Sequence, residues 1–177
     1  MTWNSFHRRG DTLHAVIATA DVRRDGLLPM DVPGVTQTFR DELDLLSALQ
    51  LKWHARLSGT IERELMAQPL DLEAAVARAW ASTARALPGI RLIIDHYTDT
   101  PTGEEMDRAL HRAQEREWVR LAAAAGLSND ESAAAARAGR AVEERARAGV
   151  RPAPAPQNSD EATHLSLVER IKAVLAA

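Results

Sequence analysis

Apolar side chains recur every three or four residues from Thr36 to Gln68, the longest stretch of the chain with a helical pattern. This spacing predicts one amphipathic helix, which at 1.5 Å per residue would be roughly 45–50 Å long. Thr38 and Asp41 resemble a capping pair at its start. We expect this helix to be the central element of a bundle, with Trp53 buried. The positions on its apolar face are Phe39, Leu43, Leu46, Leu49, Trp53, Leu57, Ile61 and Leu65.

The same periodicity predicts helices over 3–24, 71–87 and 101–125. For the third, Thr100 before Pro101 favours a start at 101, and Gly126 favours an end at 125. The apolar segment 90–97 is also compatible with a buried strand, but no second strand candidate is present to pair with it. We therefore interpret it as a short buried helix that begins at Pro88.

The sequence from Ser128 to Glu131 resembles a capping box and predicts one more helix, to about Ala148. Its residues are nearly all alanine, arginine and glutamate, and Val142 is the only large apolar residue within it. Alanine propensity and the Glu143–Arg147 pair would stabilise such a helix. We expect it at the periphery of the bundle.

Three segments follow from these elements. Residues 1–148 are predicted to form a helical bundle domain, residues 149–158 a Pro/Ala linker, and residues 159–177 an amphipathic C-terminal helix. Within the bundle, Gly26–Val35 is rich in proline and glycine yet apolar, so we expect an ordered strap that seals one end of the core, with a binding loop as the alternative. The predicted fold class is all-α.

Composition narrows the class of protein. The chain has 177 residues, of which 45% are hydrophobic, enough for one ordinary globular domain. It contains no cysteine, which excludes disulfides, thiolate metal sites and cysteine nucleophiles. No early apolar run resembles a signal peptide, and no stretch has the roughly 18 apolar residues of a membrane span. We expect a cytoplasmic protein that does not enter the membrane.

Charge gives little support to nucleic-acid binding, because the net charge is -3 and the arginines alternate with acids. Residues 121–140 loosely resemble a helix-turn-helix. However, Ser132 stands where an apolar anchor is needed, and Asp130 and Glu131 would face the phosphates. Because of the resemblance, we keep a transcription-associated or DNA-binding regulator as an alternative function.

Candidate chemistry is sparse. The chain has no phosphate-binding glycine loop, nucleophile elbow or zinc-binding His-Glu-x-x-His motif, so we assign no catalytic residue, metal ligand or cofactor. The sequence does not decide whether the protein is an enzyme, and the lack of catalytic motifs favours a protein without catalytic activity. If a ligand-binding or enzymatic pocket exists, we expect it near Trp53, His54, Trp80 and His96.

The function that these patterns favour is a protein–protein interaction module that self-associates. The 159–177 segment supplies the predicted partner-binding stripe, whose spacing of three and four residues matches one helix face. A helix of this length is marginal alone in water, so it needs a groove on this chain or on another copy. The stripe consists of Leu165, Val168, Ile171 and Leu175.

Overall fold

The computed structural model describes residues 3–150, and the side chains from residue 8 onward. This part of the chain is all-α, as predicted, and contains no strand. Neither the 151–177 segment nor its predicted partner-binding stripe lies within the described residues. The helices are α1 (Trp3–Arg23), α2 (Val35–Thr38), α3 (Glu42–Met66), α4 (Leu72–Ala86), α5 (Pro88–Asp99), α6 (Glu104–Ala124) and α7 (Ala133–Val150).

Helix α3 is the longest of these and packs against α1, α4, α5 and α6. Its inward face is formed by Leu45, Leu46, Leu49, Trp53, Leu57 and Thr60. The burial of Trp53 is confirmed, with 0% of the residue exposed. At 25 residues the helix is about 37 Å long.

The predicted start of this helix near Thr36 was wrong. Thr38 ends the separate short helix α2, and Phe39 adopts an extended backbone that turns its ring into the core. The cap of α3 is Asp41, whose side chain accepts a hydrogen bond from the Asp44 amide at 2.7 Å. Asp44 in turn accepts from the Arg40 amide at 3.1 Å, so two carboxylates satisfy amides at the helix start.

The segment from Gly26 to Val35 packs on the body, as expected for a strap. Leu28, Val32 and Val35 are buried, and the Leu28 amide donates to the Tyr97 hydroxyl at 3.5 Å. These contacts attach the strap to α5.

Helix α5 confirms the helical interpretation of the apolar segment after Pro88. The helix begins at Pro88 and buries Ile90, Ile93 and Ile94. It crosses α1 very closely, because a Cβ on Gly89 would lie 2.5 Å from the Ala20 carbonyl carbon.

Helix α6 begins three residues later than predicted. Thr100 caps the end of α5 instead of the start of α6: its amide and its hydroxyl both donate to the His96 carbonyl, at 2.9 and 2.8 Å. Gly103 is the residue before the first turn of α6. The predicted stop is confirmed at Gly126, which has a φ of 70° that suits glycine.

Helix α7 is not peripheral, which corrects the expectation from its few large apolar residues. It packs against α6 and α4 through small residues, and a Cβ on Gly139 would lie 1.7 Å from the Trp118 carbonyl oxygen. Such close contact brings the backbones together without large side chains. The cap also differs from the predicted Ser128 box, since the Ser132 hydroxyl accepts from the Ala135 amide at 3.2 Å.

No helix in the described part of the chain combines the length and the apolar character that crossing a membrane requires.

Candidate functional site

A buried carboxylate, Glu117 on α6, lies where α3, α4 and α6 meet. Its Oε2 accepts a hydrogen bond from Trp53 Nε1 at 2.9 Å, and its Oε1 accepts from Trp80 Nε1 at 3.1 Å. The two indole rings meet edge to face, with centroids 5.5 Å apart. Glu117 therefore satisfies both indole donors, which would otherwise be buried without an acceptor.

His54 completes this contact, with its Nδ1 3.3 Å from Glu117 Oε2. Burial first, and the positive charges of Arg120 and Arg91 second, lower the pKa of His54 to about 4. Burial raises the pKa of Glu117, against the opposing effects of Arg91 and the two indole donors. The lowered pKa keeps the His54 imidazole neutral near pH 7, and the raised pKa of Glu117 shifts that carboxyl toward its protonated form.

Arg91 on α5 lies beside the same indoles. Its guanidinium carbon is 4.8 Å from the centroid of the Trp53 ring and 5.8 Å from that of Trp80. One terminal nitrogen pairs with Asp95 Oδ1 at 2.8 Å. Arg91 is only 9% exposed, and its Nε has no hydrogen-bond partner among the described residues.

Arg147 on α7 reaches the same region from the other side. Its two terminal nitrogens donate to the Asp95 oxygens at 3.0 and 2.7 Å, and its Nε donates to Glu143 Oε1 at 2.7 Å. Its guanidinium also lies 4.9 Å from the Trp80 centroid. Burial alone would raise the pKa of Asp95, but the bonds and charges of Arg147 and Arg91 outweigh burial and lower it.

Glu143 joins the outer tryptophan to this network, because its Oε2 accepts from Trp118 Nε1. The two arginines, Arg91 and Arg147, and the two carboxylates that pair with them, Asp95 and Glu143, balance in formal charge. That balance is what a low-dielectric interior favours. We call this group the buried polar cluster: Trp53, His54, Trp80, Arg91, Asp95, Glu117, Glu143 and Arg147.

A cavity of about 20 Å³ adjoins the buried polar cluster. Its walls include Gln50, Thr98, Ala113 and Gln114, together with five members of the cluster: Trp53, His54, Arg91, Glu117 and Glu143. This space suits one water molecule and no larger ligand. The described residues contain no group of three or more His, Asp or Glu side chains arranged to hold a metal ion.

The structure brings together three of the four residues predicted for a pocket, Trp53, His54 and Trp80. His96 does not join them: its Cβ packs near Gly26, and its ring stacks edge to face on Tyr97 at 5.1 Å. Sequence reasoning missed Glu117, although a signal was available. The residue lies four positions after Ala113 and four before Leu121, within an otherwise apolar helix face.

A second feature lies on the surface between α1 and α3. This apolar groove of about 430 Å³ is lined by Gly10, Leu13, Ser47, Ala48 and Leu51, with an ion pair between Arg9 and Asp44 at 2.9 Å on its rim. Leu51 is 71% exposed, and a Cβ on Gly10 would meet nothing within 4 Å. The small residues leave room for another helix to approach closely.

Comparisons with protein-family models, curated proteins and solved structures find no significant match to this chain. The fold and the two features define the class only as a helical bundle with a buried polar cluster and one apolar groove.

Proposed function

We propose that this protein is a self-associating interaction module in which the apolar groove of one copy binds residues 159–177 of a second copy. The observation that carries the proposal is the groove itself. It exposes leucine beside small residues on two helices, while the sequence of the same chain predicts an amphipathic segment at 159–177.

The position of α7 favours a second copy as the donor of that segment. Helix α7 ends at Val150, eight residues before the 159–177 segment, and packs against α6 and α4. It makes no contact with α1 or α3, the helices that form the groove. Exchange between copies is a common route to a dimer when a tail is joined by an extended linker.

Burial of the predicted stripe would supply enough free energy for binding. The stripe formed by Leu165, Val168, Ile171 and Leu175 would contribute roughly 1.5–3 kcal/mol for each buried side chain before ordering costs. Since α7 includes Gly149 and Val150, the linker is shorter than predicted: the eight residues 151–158 would span roughly 25 Å in polyproline geometry, which permits exchange.

The alternatives draw less support from the described residues. For DNA binding by α7, two of the outer arginines are already paired: Arg140 with Glu144 and Arg145 with Glu73, both at 2.9 Å. For a ligand-binding or enzymatic bundle, the cavity lined by Trp53, His54 and Glu117 has room for water but not for a substrate. A role as a regulator and a location in the cytoplasm both remain part of the proposal.

Light scattering on the full chain tests the proposal with a matched pair of variants. Leu51→Asp places a charge in the groove, whereas Met66→Asp places one at an equally exposed site at the end of the same helix, 81% exposed and outside the groove. We expect a dimer for the wild type and for M66D, and a monomer for L51D with unchanged helical circular dichroism. A monomeric wild type, or equal masses for both variants, would refute self-association through the groove.

A further inference from the structure

We infer that the cavity beside the buried polar cluster is a binding site for one internal water molecule, which accepts a hydrogen bond from Arg91 Nε. Arg91 lines this cavity, and its Nε is buried without an acceptor among the described residues. A buried charged donor left without a partner is strongly unfavourable, so Nε requires an acceptor that this part of the chain does not supply.

The chemistry of the walls selects water over an ion. Glu117 and Glu143 disfavour an anion, while the Arg91 guanidinium disfavours a cation. Water accepts from Nε and at the same time donates to the oxygen or nitrogen acceptors that line the site, on Gln50, His54, Gln114 and Glu117. The volume of about 20 Å³ exceeds the 10–15 Å³ or so that one water needs.

An open cleft next to the cavity gives the water a route of exchange with solvent. Thr98, Gln114 and Glu143 line both this cavity and an open cleft of about 660 Å³ between α5, α6 and α7. These side chains form the wall between the internal water and solvent. Rotation of the Gln114 side chain, which is only half-buried, would open that wall without moving a helix.

A substitution that fills the cavity distinguishes a hydrated site from a dry one. It should lower the stability of the fold if water is displaced and raise it if the cavity is empty. Ala113→Val adds two methyl groups at a wall of the cavity, and Ala123→Val makes the same change at an exposed position of the same helix. The second variant measures the helix-propensity cost of valine alone. If the cavity were dry, the added methyls would fill it and stabilise the fold.

For a hydrated site we expect the opposite. Relative to A123V, A113V should lower the folding equilibrium constant about tenfold, because the displaced water leaves Arg91 Nε unpaired. A crystal structure of the wild-type chain at a resolution that shows ordered solvent should place one water peak within hydrogen-bond distance of Nε. A stabilised A113V, an empty cavity, or an anomalous peak from an ion at this position would each overturn the inference.

Discussion

At the scale of single residues, Glu117 is the central acceptor of the buried polar cluster. It accepts from two buried indoles, and burial raises its pKa. A group whose pKa is raised on folding contributes stability that is fully present below its unfolded value and is lost as pH rises through the folded value. The ordinary pKa of a glutamate carboxyl is 4.5, so this loss of stability falls above pH 4.5.

Glu117→Gln tests that assignment. The amide retains one acceptor oxygen, so one indole loses its partner, and we expect a cost of about 1–3 kcal/mol at pH 5. Because glutamine does not titrate, the difference between wild type and E117Q should shrink as pH rises from 5 to 8. Urea unfolding followed by tryptophan fluorescence measures the free energy of unfolding of both proteins at each pH. A difference that stays constant from pH 5 to 8 would contradict a raised pKa for Glu117.

His54 should produce the opposite dependence at lower pH. Its pKa falls from 6.5 to about 4 on folding, so its contribution is present above the unfolded value and is lost as pH falls from about 6.5 to 4. We expect wild type to lose about 2–3 kcal/mol relative to His54→Gln over this window. Denaturant unfolding of both proteins across the range provides the check, and parallel curves would contradict a neutral, buried imidazole.

The residues of this cluster show what sequence could and could not reveal. Trp53 was predictable because a large aromatic on a regular apolar stripe is usually core. Glu117 and Arg91 were not predicted, because a charged residue on an apolar face is normally interpreted as a boundary position. Their burial depends on partners from α3 and α4, and helix periodicity carries no information about such partners.

At the scale of elements, the packing of α7 against α6 depends on a glycine. A Cβ on Gly139 would lie 1.7 Å from a backbone oxygen of α6, which has no freedom to move aside. We expect Gly139→Ala to destabilise the fold by about 3 kcal/mol or more, since the two helices must separate.

Gly59→Ala is the matched control, because Gly59 is also within a helix but a Cβ there would meet nothing within 4 Å. That change should stabilise the protein by about 0.5–1 kcal/mol through helix propensity. Thermal melting of both variants distinguishes the cases. Equal effects of the two substitutions would mean that the close contact of α6 and α7 does not exist.

Sequence predicted the elements better than their boundaries and their packing. The helix after Pro88 was predicted correctly because a lone strand has no partner. The position of α7 was predicted wrongly because the pattern was judged by large apolar residues, whereas this helix buries Ala135, Gly139, Val142 and Ala146. The start of α3 was misplaced because Thr38 and Asp41 are both acceptable caps, and only the inward turn of Phe39 decides between them.

At the scale of the whole molecule, the proposed self-association depends on the residues beyond Val150. Removing them should convert the dimer to a monomer and lower the melting temperature, because the groove then loses its occupant. The circular dichroism of the described helices should persist. Light scattering and thermal melting provide the test, and a shortened chain that keeps both its mass and its melting temperature would contradict the proposed role.

The most direct test joins the groove of one copy to the tail of another. Since the chain has no cysteine, two single-cysteine variants, Leu51→Cys and Ile171→Cys, can be mixed and oxidised without background. Met66→Cys replaces Leu51→Cys in the control mixture. If the groove binds the tail, we expect a covalent dimer that contains one chain of each variant. It should form much faster with L51C than with M66C. Equal rates for the two mixtures, or no mixed dimer at all, would contradict the proposal that the groove binds the tail of a second copy.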